Sequence, residues 1–134
     1  MGLNRADTET AGLVEKARQD KDVLAVVVFG SYARGDDGPA SDLDICLVLQ
    51  PEDYGNLELS RKRLEYLKTF SIPTLDIHIY QQLPLYIRKR ILKEGEILFC
   101  RDEEVLYEMA FRTVQEFEDF RDIYHSYLQE VARG

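Results

Sequence analysis

Cysteine and long apolar runs are scarce in this sequence. Its two cysteines, Cys46 and Cys100, lie far apart within apolar segments and form no Cys-x-x-Cys pair. We interpret both as buried thiols in a reducing compartment, which argues against a disulfide framework and a cysteine zinc site. The first residues lack the apolar core of a signal peptide, and no apolar run approaches a membrane-spanning length. We therefore expect a cytoplasmic protein without a membrane partner.

Basic residues are also outnumbered. The chain has 17 lysines and arginines against 25 aspartates and glutamates, a formal net charge of −8. General nucleic-acid binding requires a basic face, so we expect no direct nucleic-acid partner. The sequence has no repeat, low-complexity segment or flexible linker. With 134 residues we expect one domain over 1–134, with a core at about 20–100 and a C-terminal helix over 102–131.

The residues that suggest chemistry are concentrated between Val23 and Leu49. A β-branched apolar run ends at Gly30, and a second apolar run follows Asp42-Leu43-Asp44. Both runs are typical of buried strands. Because side chains alternate along a strand, Asp42 and Asp44 share one face and the leucines and isoleucines share the other. Two carboxylates on one face repel each other unless a cation lies between them, and Mg²⁺ is the simplest candidate.

The turn after the first strand offers groups for a phosphate. Gly30 allows the backbone to approach a ligand closely. A helix beginning at Ser31 would direct free N–H groups at an anion, and Ser31 and Arg34 add a hydroxyl and a guanidinium. The stretch therefore predicts one site for a metal ion and a polyphosphate. The alternative is a metal-free, Asp-rich turn, which the complete spacing between two strands disfavours.

A third strand is predicted over residues 72–80, where apolar and polar side chains alternate. Its polar face carries Asp76, His78 and Tyr80. If this strand pairs with the one at Asp42, Asp76 lies beside the first carboxylates. We leave His78 and Tyr80 outside the catalytic set, because a histidine at a strand end is more often a hydrogen-bonded surface residue.

The remaining elements are four helices and one strand. A first helix runs to about residue 20, a second follows 51–53, a third lies between Pro84 and Gly95, and a fourth runs from 102 or 103 to about 131; the strand covers 96–100. On the second helix, the residues expected to cover the sheet are Leu57, Leu64, Leu67 and Phe70.

Two features of these helices leave alternatives open. The basic run at 61–63 is either a binding patch or a solvated helix side, and the acidic total favours the latter. The fourth helix is longer than a domain of this size needs for its own core. Its aromatic stripe is either covered by a partner chain or wraps its own sheet.

The central motif resembles a known signature. Gly30-Ser31, ten residues and Asp42-x-Asp44 resemble the DNA polymerase β-type nucleotidyltransferase superfamily, and Gly-Ser-Tyr-Ala-Arg-Gly with Ser41-Asp42 resembles its minimal nucleotidyltransferase (MNT) branch. The resemblance covers about residues 20–100. It implies an α+β (α/β-like) nucleotidyltransferase fold: a mixed sheet with helices packed on one face, carboxylates exposed on the other, and here a long C-terminal helix.

The resemblance also implies an activity and a partner. Asp76 occupies the expected place of a third metal ligand. The implied catalytic and metal residues are Asp42, Asp44 and Asp76, and the implied nucleotide-binding residues are Gly30, Ser31 and Arg34. Two Mg²⁺ ions at this site would support transfer of AMP from ATP. Small MNT proteins resemble the antitoxins of HEPN/MNT toxin–antitoxin pairs, which implies a hetero-oligomer whose acceptor is a tyrosine of a HEPN ribonuclease.

Two other functions use the same fold. A non-catalytic binding module would mask its partner by contact alone, but this sequence keeps every motif residue. An antibiotic-type nucleotidyltransferase usually carries an additional helical domain, for which this chain lacks the length. Near the C-terminus, Arg121, His125 and Tyr127 resemble the HEPN ribonuclease motif with a spacing one residue short, and we interpret this as accidental.

Overall fold

The computed structural model describes residues 5–30 and 42–133. The four helices and four strands predicted within these residues are present, and the helix predicted to begin at Ser31 lies outside them. In chain order they are α1 (Arg5–Gln19), β1 (Val23–Phe29), β2 (Leu43–Leu49), α2 (Asn56–Thr69), β3 (Leu75–Ile79), α3 (Leu85–Glu94), β4 (Glu96–Cys100) and α4 (Glu103–Arg133). A short 3-10 helix, Tyr80–Gln82, follows β3.

The strands form one mixed sheet in the order β3-β2-β1-β4. β1 pairs antiparallel with both β2 and β4, while β3 runs parallel to β2. A parallel neighbour requires a crossover connection, which α2 provides. The predicted pairing of the third strand with the aspartate-bearing strand is therefore confirmed, and Asp44 is the register partner of Asp76.

Helices cover both faces of this sheet, which corrects the expectation that they lie on one face only. α1 and α2 cover the first face through residues such as Leu13 and Tyr66. On the second face, Ile91 of α3 and Met109 of α4 pack with Val27 and Cys46. The predicted α+β class, with one mixed sheet and a long C-terminal helix, is confirmed. The extra helical layer forms because that face of β1 and the later part of β2 is apolar and requires burial.

The buried side of α2 also differs from the predicted one. Leu59 and Tyr66 are buried, whereas Leu57 and Leu64 are exposed. The hydroxyl of Tyr66 donates a hydrogen bond to Asp20 Oδ2 at 2.9 Å. This contact directs the large aromatic ring, rather than the two leucines, into the core. The other two predicted positions are partly buried against it.

Two residues of the basic run of α2, Lys62 and Arg63, make contacts within the fold. Only Arg61 is exposed to solvent, as expected for the whole run. Lys62 Nζ lies 3.1 Å from an oxygen of Asp20 and 3.0 Å from one of Asp22. Arg63 Nε donates a hydrogen bond to the main-chain carbonyl of Ile77 at 2.8 Å. These contacts join α2 to the end of α1 and to β3, next to the strand pair that carries the aspartates.

Arg101, directly after β4, joins that edge strand to α1. Its guanidinium donates hydrogen bonds of 2.8 to 3.2 Å to the main-chain carbonyls of Ala17, Arg18, Asp20 and Val23. Carbonyls in the last turn of a helix have no partner within the helix. The carbonyls of Ala17 and Asp20 also accept backbone hydrogen bonds from Asp20 and Val23, so Arg101 adds a second donor there and joins β4 to the end of α1.

The long helix α4 packs on the domain only over its first part. Asp102 Oδ1 accepts hydrogen bonds from the backbone N–H groups of Glu104 and Val105, which confirms Asp102 as the cap. The buried residues of α4 are Met109 and Thr113. With 31 residues the helix is about 46 Å long. Over 119–133 every side chain is exposed. Within the described part of the chain, no helix is both long and apolar enough to cross a membrane.

Candidate functional site

Three side chains from two neighbouring strands converge at one end of the sheet. Asp44, Asp76 and His78 each offer one ligand atom, and these atoms all lie within 4.8 Å of one another. Asp76 is level with Asp44, whereas His78 is level with Cys46, two residues further along the same face. The strand register therefore assembles the cluster, and each of its side chains is partly exposed.

His78 is the residue of this cluster that the predicted metal site did not include. Its Nε2 lies 3.1 Å from Asp76 Oδ2 and 3.9 Å from Asp44 Oδ1. Its ring contacts Phe29, with centroids 5.6 Å apart and an interplanar angle of 60°. The available signal was its spacing: two residues after Asp76 on a strand, it had to share the face of that carboxylate.

Gly30 supports the carboxylate of Asp44. Its φ is 81°, in the left-handed region. A Cβ at this position would lie 2.3 Å from Asp44 Oδ2. Any other residue would therefore strain the backbone and displace that carboxylate. The close approach predicted for this glycine occurs here toward an aspartate, and its approach to a phosphate stays a prediction.

The other predicted site residues lie at or beyond the limits of the described structure. Asp42 precedes β2 by one residue and is exposed. Of the residues that can be described, the ligand cluster contains Asp44, Asp76 and His78 without Asp42. Because Asp42 lies outside the strand ladder, the register does not fix its position. Ser31 and Arg34 fall outside the described residues.

The donor set fits a divalent metal ion. Two carboxylates held side by side favour a cation between them. Carboxylate oxygens bind hard divalent ions, and an imidazole nitrogen extends the set toward transition metals. Both strands are paired in the sheet, and the Gly30 backbone and the Phe29 ring restrict Asp44 and His78. The arrangement can hold a metal ion on rigid elements while leaving one side open to a substrate.

Cys46 takes no part in this chemistry, although it is the register partner of His78. Its side chain is fully buried, and this burial raises the pKa of the thiol well above its usual value. A thiol held neutral in this way is a poor metal ligand and a poor nucleophile. Cys46 therefore serves as a small apolar side chain between the site and the core.

Comparison with known proteins agrees with this geometry. The family model described as Polymerase beta, Nucleotidyltransferase matches residues 12–104. A candidate protein adenylyltransferase of Methanocaldococcus jannaschii is 32% identical over 83 residues, which cover 62% of this chain and 61% of that protein. The chain thus matches less than two thirds of this relative's length.

Solved structures show the same fold. A chain from a toxin–antitoxin complex with AMP-PNP superposes with a TM-score of 0.67 at 15% identity, covering 96% of this chain and 98% of that one. A chain from the complex of the tri-AMPylated Shewanella oneidensis HEPN toxin with MNT antitoxin gives a TM-score of 0.64 at 12% identity, covering 93% and 97%. At these identities the likeness concerns the fold.

Proposed function

Because the chain belongs to the Polymerase beta, Nucleotidyltransferase family, we propose that it is a protein adenylyltransferase and the antitoxin of a HEPN-type ribonuclease. It transfers AMP from ATP to a partner hydroxyl, most simply a tyrosine. The observation that carries the proposal is the pairing of Asp44 with Asp76 at the open end of two parallel strands. The ATP analogue and the AMPylated toxin in the structural neighbours support the choice of nucleotide and acceptor.

Each predicted site residue has a role in this reaction. Asp44 and Asp76, with Asp42 just before β2, would hold two Mg²⁺ ions. When bound, these ions neutralise the triphosphate and lower the pKa of the acceptor hydroxyl. Gly30, with Ser31 and Arg34 beyond the described residues, holds the triphosphate.

The transfer itself breaks one bond and forms one. The acceptor oxygen attacks the α-phosphorus, the bond from the α-phosphorus to the bridging oxygen breaks, and pyrophosphate leaves. Asp76 accepts the hydroxyl proton, because it is the more exposed of the two register partners and lies toward the open edge formed by β3. The product is a partner carrying a phosphodiester-linked AMP.

The exposed stripe on α4 is the surface that we assign to the protein partner. Beyond the part of α4 that packs on the domain, its exposed apolar side chains continue the buried face of the helix: Phe120, Ile123, Tyr124, Tyr127, Leu128 and Val131. Tyr107, Phe111 and Val114 lie on the opposite side of the first half of the helix and are not part of this stripe. An exposed apolar surface along the last part of such a helix is unusual for a monomer and typical of a protein interface. A complex built on this helix brings the acceptor to the enzyme without a separate acceptor-binding domain. We place this complex in the cytoplasm.

The test is incubation with ATP, Mg²⁺ and the co-encoded partner, read by intact mass. We expect the partner to gain whole multiples of an AMP residue, and an Asp44→Asn, Asp76→Asn double variant to abolish the gain. Asp53→Asn, an exposed aspartate in the loop before α2, is the matched control. A stable, inhibited complex without any mass change would refute transfer and leave a non-catalytic binding module.

A further inference from the structure

We propose that His78 is a direct metal ligand, and that the site formed by Asp44, Asp76 and His78 binds a nitrogen-accepting divalent transition ion in preference to Mg²⁺. This inference rests on the proposed function only because both use the same two carboxylates. It concerns the identity of the metal rather than the occurrence of AMP transfer. It follows from a side chain that the predicted metal site did not include.

The distances match a shared ion. Two ligands at about 2.1 Å from one ion lie about 3.0 Å apart at right angles and about 3.4 Å apart in a tetrahedron. Nε2 of His78 is 3.1 Å from Asp76 Oδ2 and 3.9 Å from Asp44 Oδ1. The first separation already suits a common ion, and the second requires a shift of about half an ångström. Metal binding would have to draw the Asp44 carboxylate toward Nε2 by that amount.

The imidazole is held in place by contacts that do not depend on a metal. The ring of Phe29, the last residue of β1, contacts the imidazole ring. His78 itself lies within β3, so its backbone is fixed by pairing with β2. On the other side of the cluster, the bare backbone of Gly30 leaves room for the carboxylate of Asp44. The three ligands are thus positioned by strands and packing, as a preorganised site requires.

The donor chemistry then selects the ion. Mg²⁺ prefers oxygen ligands in a near-octahedral shell and retains several waters. Imidazole nitrogen binds Zn²⁺, Fe²⁺ and Co²⁺ far more readily than it binds Mg²⁺. Two carboxylates with one imidazole therefore favour a transition ion. The competing interpretation is that His78 only hydrogen-bonds to Asp76 and orients it, in which case all divalent ions would lose affinity equally when His78 is replaced.

The chain provides a matched control, because it contains two histidines, His78 and His125. His125 lies on the exposed part of α4, far along the helix from the sheet. Untagged protein is titrated with Co²⁺ and separately with Mg²⁺, followed by calorimetry and by the visible absorption of Co²⁺. We expect His78→Asn to weaken Co²⁺ binding about tenfold or more and to change its spectrum, with less than about a twofold effect on Mg²⁺. His125→Asn should leave both affinities unchanged.

A second measurement does not depend on the folding of the His78 variant. In His125→Asn protein, His78 is the remaining imidazole, so pulsed EPR of bound Mn²⁺ should show coupling to an imidazole nitrogen. Absence of that coupling, an unchanged Co²⁺ affinity in His78→Asn, or an equal loss for Co²⁺ and Mg²⁺ would each overturn the inference. These titrations contain no ATP and no partner. AMP transfer supported by Mg²⁺ would thus leave the proposed function intact even if the inference failed.

Discussion

Asp44 and Asp76 are register partners on parallel neighbouring strands, so the main-chain ladder itself brings their carboxylates together. Neither residue depends on a flexible loop for its position, and the cluster they form with His78 lies at an open end of the sheet. Such an arrangement raises the local negative charge and is unfavourable in an isolated domain. It becomes favourable when a cation and a substrate phosphate bind there, which relates the geometry to function.

Replacing Asp76 should remove activity without removing partner binding. We expect Asp76→Asn to lower the rate of AMP transfer by roughly 10²-fold or more, because the neutral amide binds a cation weakly and cannot accept the hydroxyl proton. The rate is measured by intact mass over time, and affinity for the partner by calorimetry. Asp53→Asn should change neither. A variant that keeps its transfer rate would exclude Asp76 from the chemistry.

Gly30 should tolerate no side chain. We expect Gly30→Ala to destabilise the protein by about 1–2 kcal/mol, because an L-residue is strained at its φ of 81°. The new methyl group would also displace Asp44, so metal affinity should fall with it. Gly55→Ala is the control, since its φ is −73° and its Cβ would make only an ordinary 3.6 Å contact with Glu58. Chemical denaturation and Co²⁺ titration measure the two effects; equal behaviour of both variants would contradict this assignment.

Arg101 should contribute to stability through the end of α1. We expect Arg101→Ala to lower the free energy of unfolding by about 1–3 kcal/mol, because four main-chain carbonyls lose a charged donor. Arg101→Lys should recover only part of this loss, since an ammonium cannot reproduce the planar fork. Arg112→Ala, which removes an exposed i,i+4 ion pair, should stay within about 0.5 kcal/mol in urea denaturation. A similar loss in Arg112→Ala would show that the carbonyl contacts are not responsible.

Asp20 should make the fold sensitive to acid. Burial alone would raise the pKa of Asp20, but hydrogen bonds from Lys62 and Tyr66 outweigh it and hold the pKa below its ordinary value. A carboxylate with a depressed folded-state pKa stabilises the protein above its unfolded-state pKa of about 3.9, and this contribution is lost as the pH falls further. We expect Asp20→Asn to be less stable at neutral pH and to lose less stability between about pH 5 and 3. Urea denaturation across that range tests this, and parallel pH profiles would contradict it.

Strand and helix order could be predicted from the sequence because the local signals agree with the final packing. The apolar run at Leu43–Leu49 and the alternation at Leu75–Ile79 identified both strands, and the two-residue period of a strand gave their polar faces. The rotation of α2 could not be predicted, because the hydrogen bond from Tyr66 to Asp20 joins residues 46 positions apart. The same limit applies to His78. Its position two residues after Asp76 in β3 was visible in the sequence. The contact of His78 with Phe29, in contrast, forms only when β1 and β3 flank β2.

The exposed stripe of α4 provides the last prediction. Tyr124 is half-exposed and its ring stacks on Phe120 with centroids 6.3 Å apart, outside the part of α4 that packs on the domain. We expect Tyr124→Asp to weaken partner binding by about 2 kcal/mol, roughly 30-fold, while changing the stability of the isolated chain by no more than about 0.5 kcal/mol.

Calorimetry with the partner and denaturation of the free chain give the two numbers. Gln129→Asp places the same charge on the exposed part of the helix without removing an aromatic ring, and should bind almost normally. If Tyr124→Asp binds normally as well, the partner contacts another surface and the stripe requires a different occupant. If it destabilises the free chain instead, the stripe belongs to the fold itself. Only loss of binding with retained stability agrees with a partner that covers α4 and brings its hydroxyl to Asp44 and Asp76.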